Sequence, residues 1–210
     1  MVLIPSPPPS QLIKLSPLHK NLRSGTNIIR LFDPLDNKTE PTTFRHFGPL
    51  HRFDHHRNPV LLPAIDDERG ILYAAFTLSC CMVEVFGDAR VITTGSKEVA
   101  LLQLIRDVML LDLRGSGSMR AGTVAALSKD ADRPLTQSWA QYFYDNDTLY
   151  RVIDGLIYSN AHNDEDAIAL FERATESLTT LPTDRMRLDD PSLRSQLQEI
   201  AMQNGLFFEP

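Results

Sequence analysis

The sequence predicts one α+β domain built on a substantial mixed or antiparallel sheet flanked by helices. Three observations lead there. The chain has 210 residues, the size of one ordinary domain with short extensions. Its 42% hydrophobic and 23% charged residues match soluble globular usage, so wholesale disorder is excluded. Short β-branched runs and helical stretches follow one another in mixed order, with no internal repeat.

The elements follow from local patterns. Residues 1–26 read as an arm. Pro5, Pro7, Pro8 and Pro9 favour an extended, polyproline-like lead, and the apolar piece over 12–22 suits one helix. Packing of this arm on the body is favoured over a free recognition peptide. NIIRLF at 27–32, bounded by Gly25 and by Asp33-Pro34, is a strand. Residues 33–63 are rich in Pro, Asp, Asn and His and are expected to be mostly loop. The turn signal Asp66-Asp67-Glu68-Arg69-Gly70 precedes ILYAAF at 71–76, a short buried strand. Thr77-Leu78-Ser79 then opens a helix, capped by Thr77 or Ser79, that ends at Gly87.

RVITT at 90–94 is a strand. The apolar runs 99–105 and 108–113 fit two strands or one long helix; the sharp stop at Arg114-Gly115-Ser116-Gly117-Ser118 favours strands. Helices are expected over 121–128 and 135–144, the second turning Trp139, Tyr142 and Phe143 inward. Strands over 152–158 and 167–171 flank the loop 159–165. A last helix spans 192–204, with Asp190 or Ser192 at its cap and Gly205 past its end.

Composition excludes several function classes. With 21 Lys+Arg against 27 Asp+Glu the net charge is −6, which argues against a protein that grips nucleic acid by neutralising phosphates. The two cysteines, Cys80 and Cys81, are adjacent, so no disulfide framework is expected and a reducing cytoplasm suits the chain. No apolar run reaches the ~20 residues of a membrane helix, and the N-terminus makes a poor signal peptide.

Candidate chemistry is sparse. Tyr73 on a buried strand and Glu84 on the following helix are eleven positions apart. Glu84 sits in the apolar stretch Cys80-Cys81-Met82-Val83-Glu84-Val85-Phe86, where a carboxylate is costly unless paired or functional. Periodicity alone also allows it the wet face of an amphipathic helix. Arg30, mid-strand, lies either on an outward face or in a cleft that takes phosphate or carboxylate. Arg52 lies in a loop, and Ser159 at a strand end beside a loop. His51, His55 and His56 evoke a zinc site. Pro49, Arg52 and Pro59 speak against a helix there and the glutamate such a site needs is missing, so no metal is expected. There is neither a P-loop lysine after Gly115-Ser116-Gly117-Ser118 nor a Gly-x-Ser-x-Gly elbow.

Taken in order, these segments resemble the RES-domain family. Gly48-Pro49-Leu50-His51-Arg52-Phe53-Asp54 is similar to its Gly-Arg-Trp/Phe-Asn/Asp turn, Gly70-Ile71-Leu72-Tyr73-Ala74-Ala75 to its Leu-Tyr-Leu-Ala strand, and Glu84 to its helical glutamate. Asp154-Gly155-Leu156-Ile157-Tyr158-Ser159 with Ala169-Leu170-Phe171 resembles the later Gly-Ile-x-Tyr-x-Ser segment and its Leu-Phe strand, and Trp139 falls where the family often has a tryptophan. The similarity covers about residues 27–175, leaving 176–210 as a helical extension packed on the same domain. His51 in place of a glycine, a long stretch from 54 to 69, and Asn160 after Ser159 depart from the family pattern.

The resemblance implies a fold similar to ADP-ribosyltransferases and an enzyme that uses NAD+ as substrate, with no other cofactor and no metal. It implies a cytoplasmic toxin of a toxin–antitoxin pair with an Xre-like helix-turn-helix antitoxin, and homodimers are common in the family. The reaction would be cleavage of the nicotinamide–ribose bond by a glycohydrolase or phosphorylase; the alternatives are ADP-ribosyl transfer to a protein, or a non-catalytic binding module. Glu84 would stabilise the oxocarbenium-like ribose. Arg30 and Arg52 would hold the diphosphate. Tyr73 would stack on the nicotinamide, and Ser159 would hydrogen-bond the nicotinamide ribose or Glu84.

Overall fold

In the computed structural model, which describes residues 3–11, 14–59 and 62–209, the β-branched runs pair into one large mixed sheet. The first half of the chain forms β1 (His19–Leu22), β2 (Asn27–Phe32), β3 (Phe47–Gly48), β4 (Ala64–Ile65), β5 (Ile71–Ala75), α1 (Leu78–Phe86), β6 (Val91–Thr93) and β7 (Glu98–Leu104). The second half forms β8 (Val108–Asp112), α2 (Ser116–Arg120), α3 (Arg133–Asp145), α4 (Asp147–Tyr150), β9 (Gly155–Ser159), β10 (Asp166–Phe171), β11 (Leu178–Thr179), β12 (Arg185–Arg187), α5 (Arg194–Gln203) and β13 (Phe207–Glu209). The sheet runs β1-β8-β9-β10-β5-β2-β7-β11, with β12 also on β7. Within it β8 and β9 are parallel, and every other pair is antiparallel.

Both faces of the sheet are covered, which explains why its middle strands read as unbroken apolar runs. In β10, Ala167, Ala169 and Phe171 join a core with α1 and α3, whereas Ile168 and Leu170 join a second core with β2 and β7. The alternation in β5 sends Ile71, Tyr73 and Ala75 to the α1 side and Leu72 and Ala74 to the other. Strands β2 and β5 pair only through Ile29 and Ala75, so the sheet opens there.

Several expectations are corrected. His19–Leu22 is a strand on the edge of the sheet, not part of a helix over 12–22; Leu12 and Ile13 lie outside the described residues. The expected helix over 121–128 is interrupted by Gly122 at φ +92°, leaving α2 before it and one 3-10 turn at Ala125–Lys129 after it. Segment 176–210 contributes β11 and β12 to the main sheet and β13 beside β6, as well as α5. The β6 strand therefore lies outside the main sheet. The arm packs on the body: Trp139 Nε1 donates to Pro5 O at 2.7 Å, and Ile4 and Leu15 touch the α1-side core.

Candidate functional site

A cavity of about 930 Å³ opens where the sheet splays between β2 and β5. Helix α1 forms one wall. It starts directly after β5 because the Thr77 hydroxyl accepts the Cys80 N–H at 3.0 Å. Cys81, Glu84, Val85 and Asp88, spaced i, i+3, i+4 and i+7, all line the cavity. The loop through Arg45, His51 and Arg52 also lines it; Tyr73 and Tyr158 come from the sheet, and Arg133 from the start of α3.

Glu84 is solvent-accessible on this wall and has no hydrogen bond or ion pair among the described residues. Desolvation by its surroundings raises the carboxyl above its usual range, while Arg52 and Arg133 pull it back down. Arg52 is half-buried. It donates from Nη1 to Ser128 O, and its Nε is buried without a partner. Burial and then Arg133 lower its pKa, with Glu84 the main opposing influence. Glu84 and Arg52 thus line one cavity and influence each other electrostatically without forming an ion pair.

Tyr73 is held at the floor. Its hydroxyl donates to Asp54 Oδ1 at 2.9 Å and accepts the Phe53 N–H at 3.0 Å. Burial, then the Asp54 charge, pushes the phenol well above its normal pKa, so it stays protonated. The ring meets His51 edge-on, with centroids 5.8 Å apart. Asp54 itself is inaccessible and accepts from Arg45 Nη2 at 2.8 and 2.9 Å, Leu50 N at 2.5 Å and His51 N at 3.0 Å. Burial alone would raise its pKa, but Arg45 and the two N–H groups hold it below the usual carboxylate range.

Arg30 lines the cavity, but it projects from the sheet face opposite to Tyr73, with Ile28 and Phe32. Its Nη1 donates to the carbonyls of Glu40 (3.3 Å), Pro41 (2.7 Å) and Thr43 (2.8 Å). Burial, then Arg45, lowers its pKa to about 10. Arg30 thus braces the loop over 40–43 through Nη1 while it lines the cavity, and Nε and Nη2 make none of these three bonds.

Ser159 is not among the residues lining the cavity; Tyr158 is. Counted from Gly155, the Gly-Ile-x-Tyr-x-Ser pattern ends at Asn160, one residue later than the serine singled out from the sequence. Asn160 is fully buried. It donates from Nδ2 to Cys80 O at 3.4 Å and accepts the His162 N–H at 2.6 Å, tying the loop after β9 to α1.

The histidines diverge. His51 faces the cavity, His55 Nε2 lies 2.9 Å from Glu172 Oε2, and His56 Nε2 lies 3.2 Å from Arg45 O. Among the described residues no three His, Cys, Asp or Glu side chains are grouped to hold a metal. Arg45, Asp54 and Arg133 escaped sequence reasoning. Asp54 had a signal, the final position of the Gly-Arg-Trp/Phe-Asn/Asp turn; Arg133 had none.

Comparison with known proteins places this geometry in context. The family model described as RES domain matches residues 29–192. No curated protein matches the chain. A chain of the crystal structure of the M. tuberculosis MbcT–MbcA toxin–antitoxin complex superposes with a TM-score of 0.57 at 16% identity, covering 85% of this chain and 92% of that one. At that identity the likeness is one of fold.

Proposed function

The chain belongs to the RES-domain family, and from that premise we propose that it consumes NAD+ by breaking the nicotinamide–ribose bond, as the toxin half of a toxin–antitoxin pair. One observation carries the reading: Tyr73 and Glu84, from one strand–helix unit, and Arg52, from a separate loop, line one large cavity in which the glutamate has no hydrogen-bond or ion-pair partner among the described residues.

The chemistry asks little of the protein. As the C–N bond breaks, nicotinamide leaves neutral with the bonding pair and the ribose carbon becomes cationic. An ionised Glu84 at that carbon lowers the barrier because its charge is already in place and needs no reorganisation. Tyr73, with its hydroxyl fixed by Asp54, offers a rigid ring edge and face for the departing base. Arg52 supplies positive potential for the phosphates. The bond to the anomeric carbon is completed by water, phosphate or a protein side chain, which gives glycohydrolase, phosphorylase or ADP-ribosyltransferase products from one cleavage.

The superposed chain comes from a toxin–antitoxin complex, which supports a partner for this one; the family resemblance supports a small Xre-like helix-turn-helix antitoxin and a cytoplasmic setting. The decisive experiment is nicotinamide release from NAD+ by the pure protein, with and without phosphate. Glu84→Gln is expected to slow it on the order of 10²–10³-fold. A folded wild-type protein that releases none, or a Glu84→Gln variant of undiminished rate, refutes the proposal.

A further inference from the structure

We propose that Arg133 is a further anion-binding residue of the cavity beside Arg52, taking a phosphate oxyanion of the ligand while Glu84 faces the ribose. The inference rests on the reading of the cavity as a dinucleotide site and assigns its phosphate end.

The other cavity cations each spend at least one donor or charge on the protein. Arg30 serves three carbonyls, Arg45 serves Asp54, Arg52 donates to Ser128 O, and Lys129 pairs with Asp164. The Arg133 side chain has no hydrogen bond or ion pair among the described residues, although the residue is half-buried and lines the cavity. Its backbone is fixed. It opens α3, where the Asp132 carboxylate accepts the Leu135 N–H at 3.1 Å and Pro134 fixes the first turn.

Its neighbours sharpen the point. Arg133 lies close enough to Arg52 to repel it and to Glu84 to attract it, yet no atom pair brings it within ion-pair distance of the glutamate. A cation beside another cation in a partly desolvated cavity is unfavourable until an anion arrives. An unpaired guanidinium and an unpaired carboxylate on two different helices lining one cavity complement a ligand that is anionic at one end and turns cationic at the other. The planar fork of arginine is matched to phosphate oxygens. Two sources share that chemistry: the diphosphate of the dinucleotide, and free inorganic phosphate.

The test uses Arg133→Gln and Arg133→Lys, both checked for folding by circular dichroism. Calorimetry with ADP-ribose, which carries the diphosphate but cannot turn over, is expected to show affinity falling about 10- to 100-fold for Arg133→Gln, the loss of one charge-assisted contact. Arg133→Lys is expected to recover part of it, because charge remains while the fork is lost. In turnover, KM for NAD+ rises more than kcat falls, and handling of nicotinamide riboside, which has no phosphate, is unchanged. If ADP-ribose affinity holds but affinity for inorganic phosphate falls, the oxyanion is free phosphate.

Wild-type protein that binds neither probe, or folded Arg133→Gln that binds both as the wild type does, overturns the inference. Absent nicotinamide release with Arg133-dependent ADP-ribose binding removes only the enzymatic reading. Normal release with KM and both affinities unaffected by Arg133→Gln removes only the inference.

Discussion

Asp54→Asn isolates the floor of the cavity from its walls. The asparagine keeps the shape of the side chain and removes its charge. In the wild type the Asp54 carboxylate is fully buried and takes two contacts from Arg45, one from Tyr73 and two from backbone N–H groups. Breaking a buried pair by removing one partner costs about 3–5 kcal/mol, because the other charge is left uncompensated. Arg45 is about a quarter exposed, so water recovers part of that, and the amide oxygen still accepts one or two of the N–H groups. The expected loss is roughly 2–4 kcal/mol, read by urea denaturation, or a Tm lower by roughly 4–16 °C for a chain of this size.

The same substitution changes the acid limb. The Asp54 pKa is depressed in the folded protein, so its contribution is present above the unfolded carboxylate pKa near 4 and disappears as pH falls through the folded value. Asp54→Asn therefore loses most stability at neutral pH and converges with the wild type in strong acid. A variant within about 0.5 kcal/mol of wild type at pH 7, or one with a constant deficit down to pH 2, refutes this account of the floor.

Two more outcomes follow from the scaffold. Gly155→Ala is expected to destabilise the fold by roughly 2–3 kcal/mol by urea denaturation, since its Cβ would lie 2.3 Å from Ala169 O and 2.9 Å from Leu170 Cα, backbone atoms of the neighbouring strand that cannot yield. Acid unfolding monitored by Trp139 fluorescence should begin at a higher pH in Glu172→Gln than in the wild type, the two converging toward about pH 2. Against burial, which acts to raise it, hydrogen bonds from His55 and Tyr144 lower Glu172 from the ordinary 4.5 to about 2. Its contribution, on the order of 3 kcal/mol, is thus complete above about pH 5 and is lost as pH falls toward 2.

Legibility in the sequence divides along a physical line. Strands β2, β5, β7, β8 and β10 were readable because a buried strand demands a run of apolar residues whatever its partners are. Helix α1 was readable from Thr77 and Gly87, which mark local hydrogen bonds. Strand β1 was not, because HKNL has no apolar run; it is a strand only because β8 offers it an edge. Arg30 was ambiguous for a similar reason. Its strand position shows in the sequence, but the three carbonyls that capture it belong to a loop whose path depends on tertiary packing. Tyr73 and Glu84 come from one strand–helix unit, so their neighbourhood follows from short-range structure. Arg52, Asp54 and Arg133 reach the cavity from loops or a helix start, and local periodicity does not encode where those segments converge.

The distribution of partners separates scaffold from function. Asp54, Arg45 and the Tyr73 hydroxyl satisfy each other, so replacing any of them moves stability first and activity only through a displaced ring. Glu84 and Arg133 satisfy nothing in the protein, so replacing them should cost the fold almost nothing, and removing either half-desolvated charge should even relieve it slightly. A carboxylate disfavoured by desolvation and a guanidinium with no ion-pair partner among the described residues, both lining one large cavity, are what a site shaped for a charged ligand requires. The expected signature is opposite in sign on two axes. Glu84→Gln and Arg133→Gln should leave the urea midpoint unchanged or raise it while lowering the rate and the ligand affinity respectively, whereas Asp54→Asn should lower the midpoint. A lowered midpoint for Glu84→Gln would show that the carboxylate serves packing, and the wall would then have no claim to chemistry.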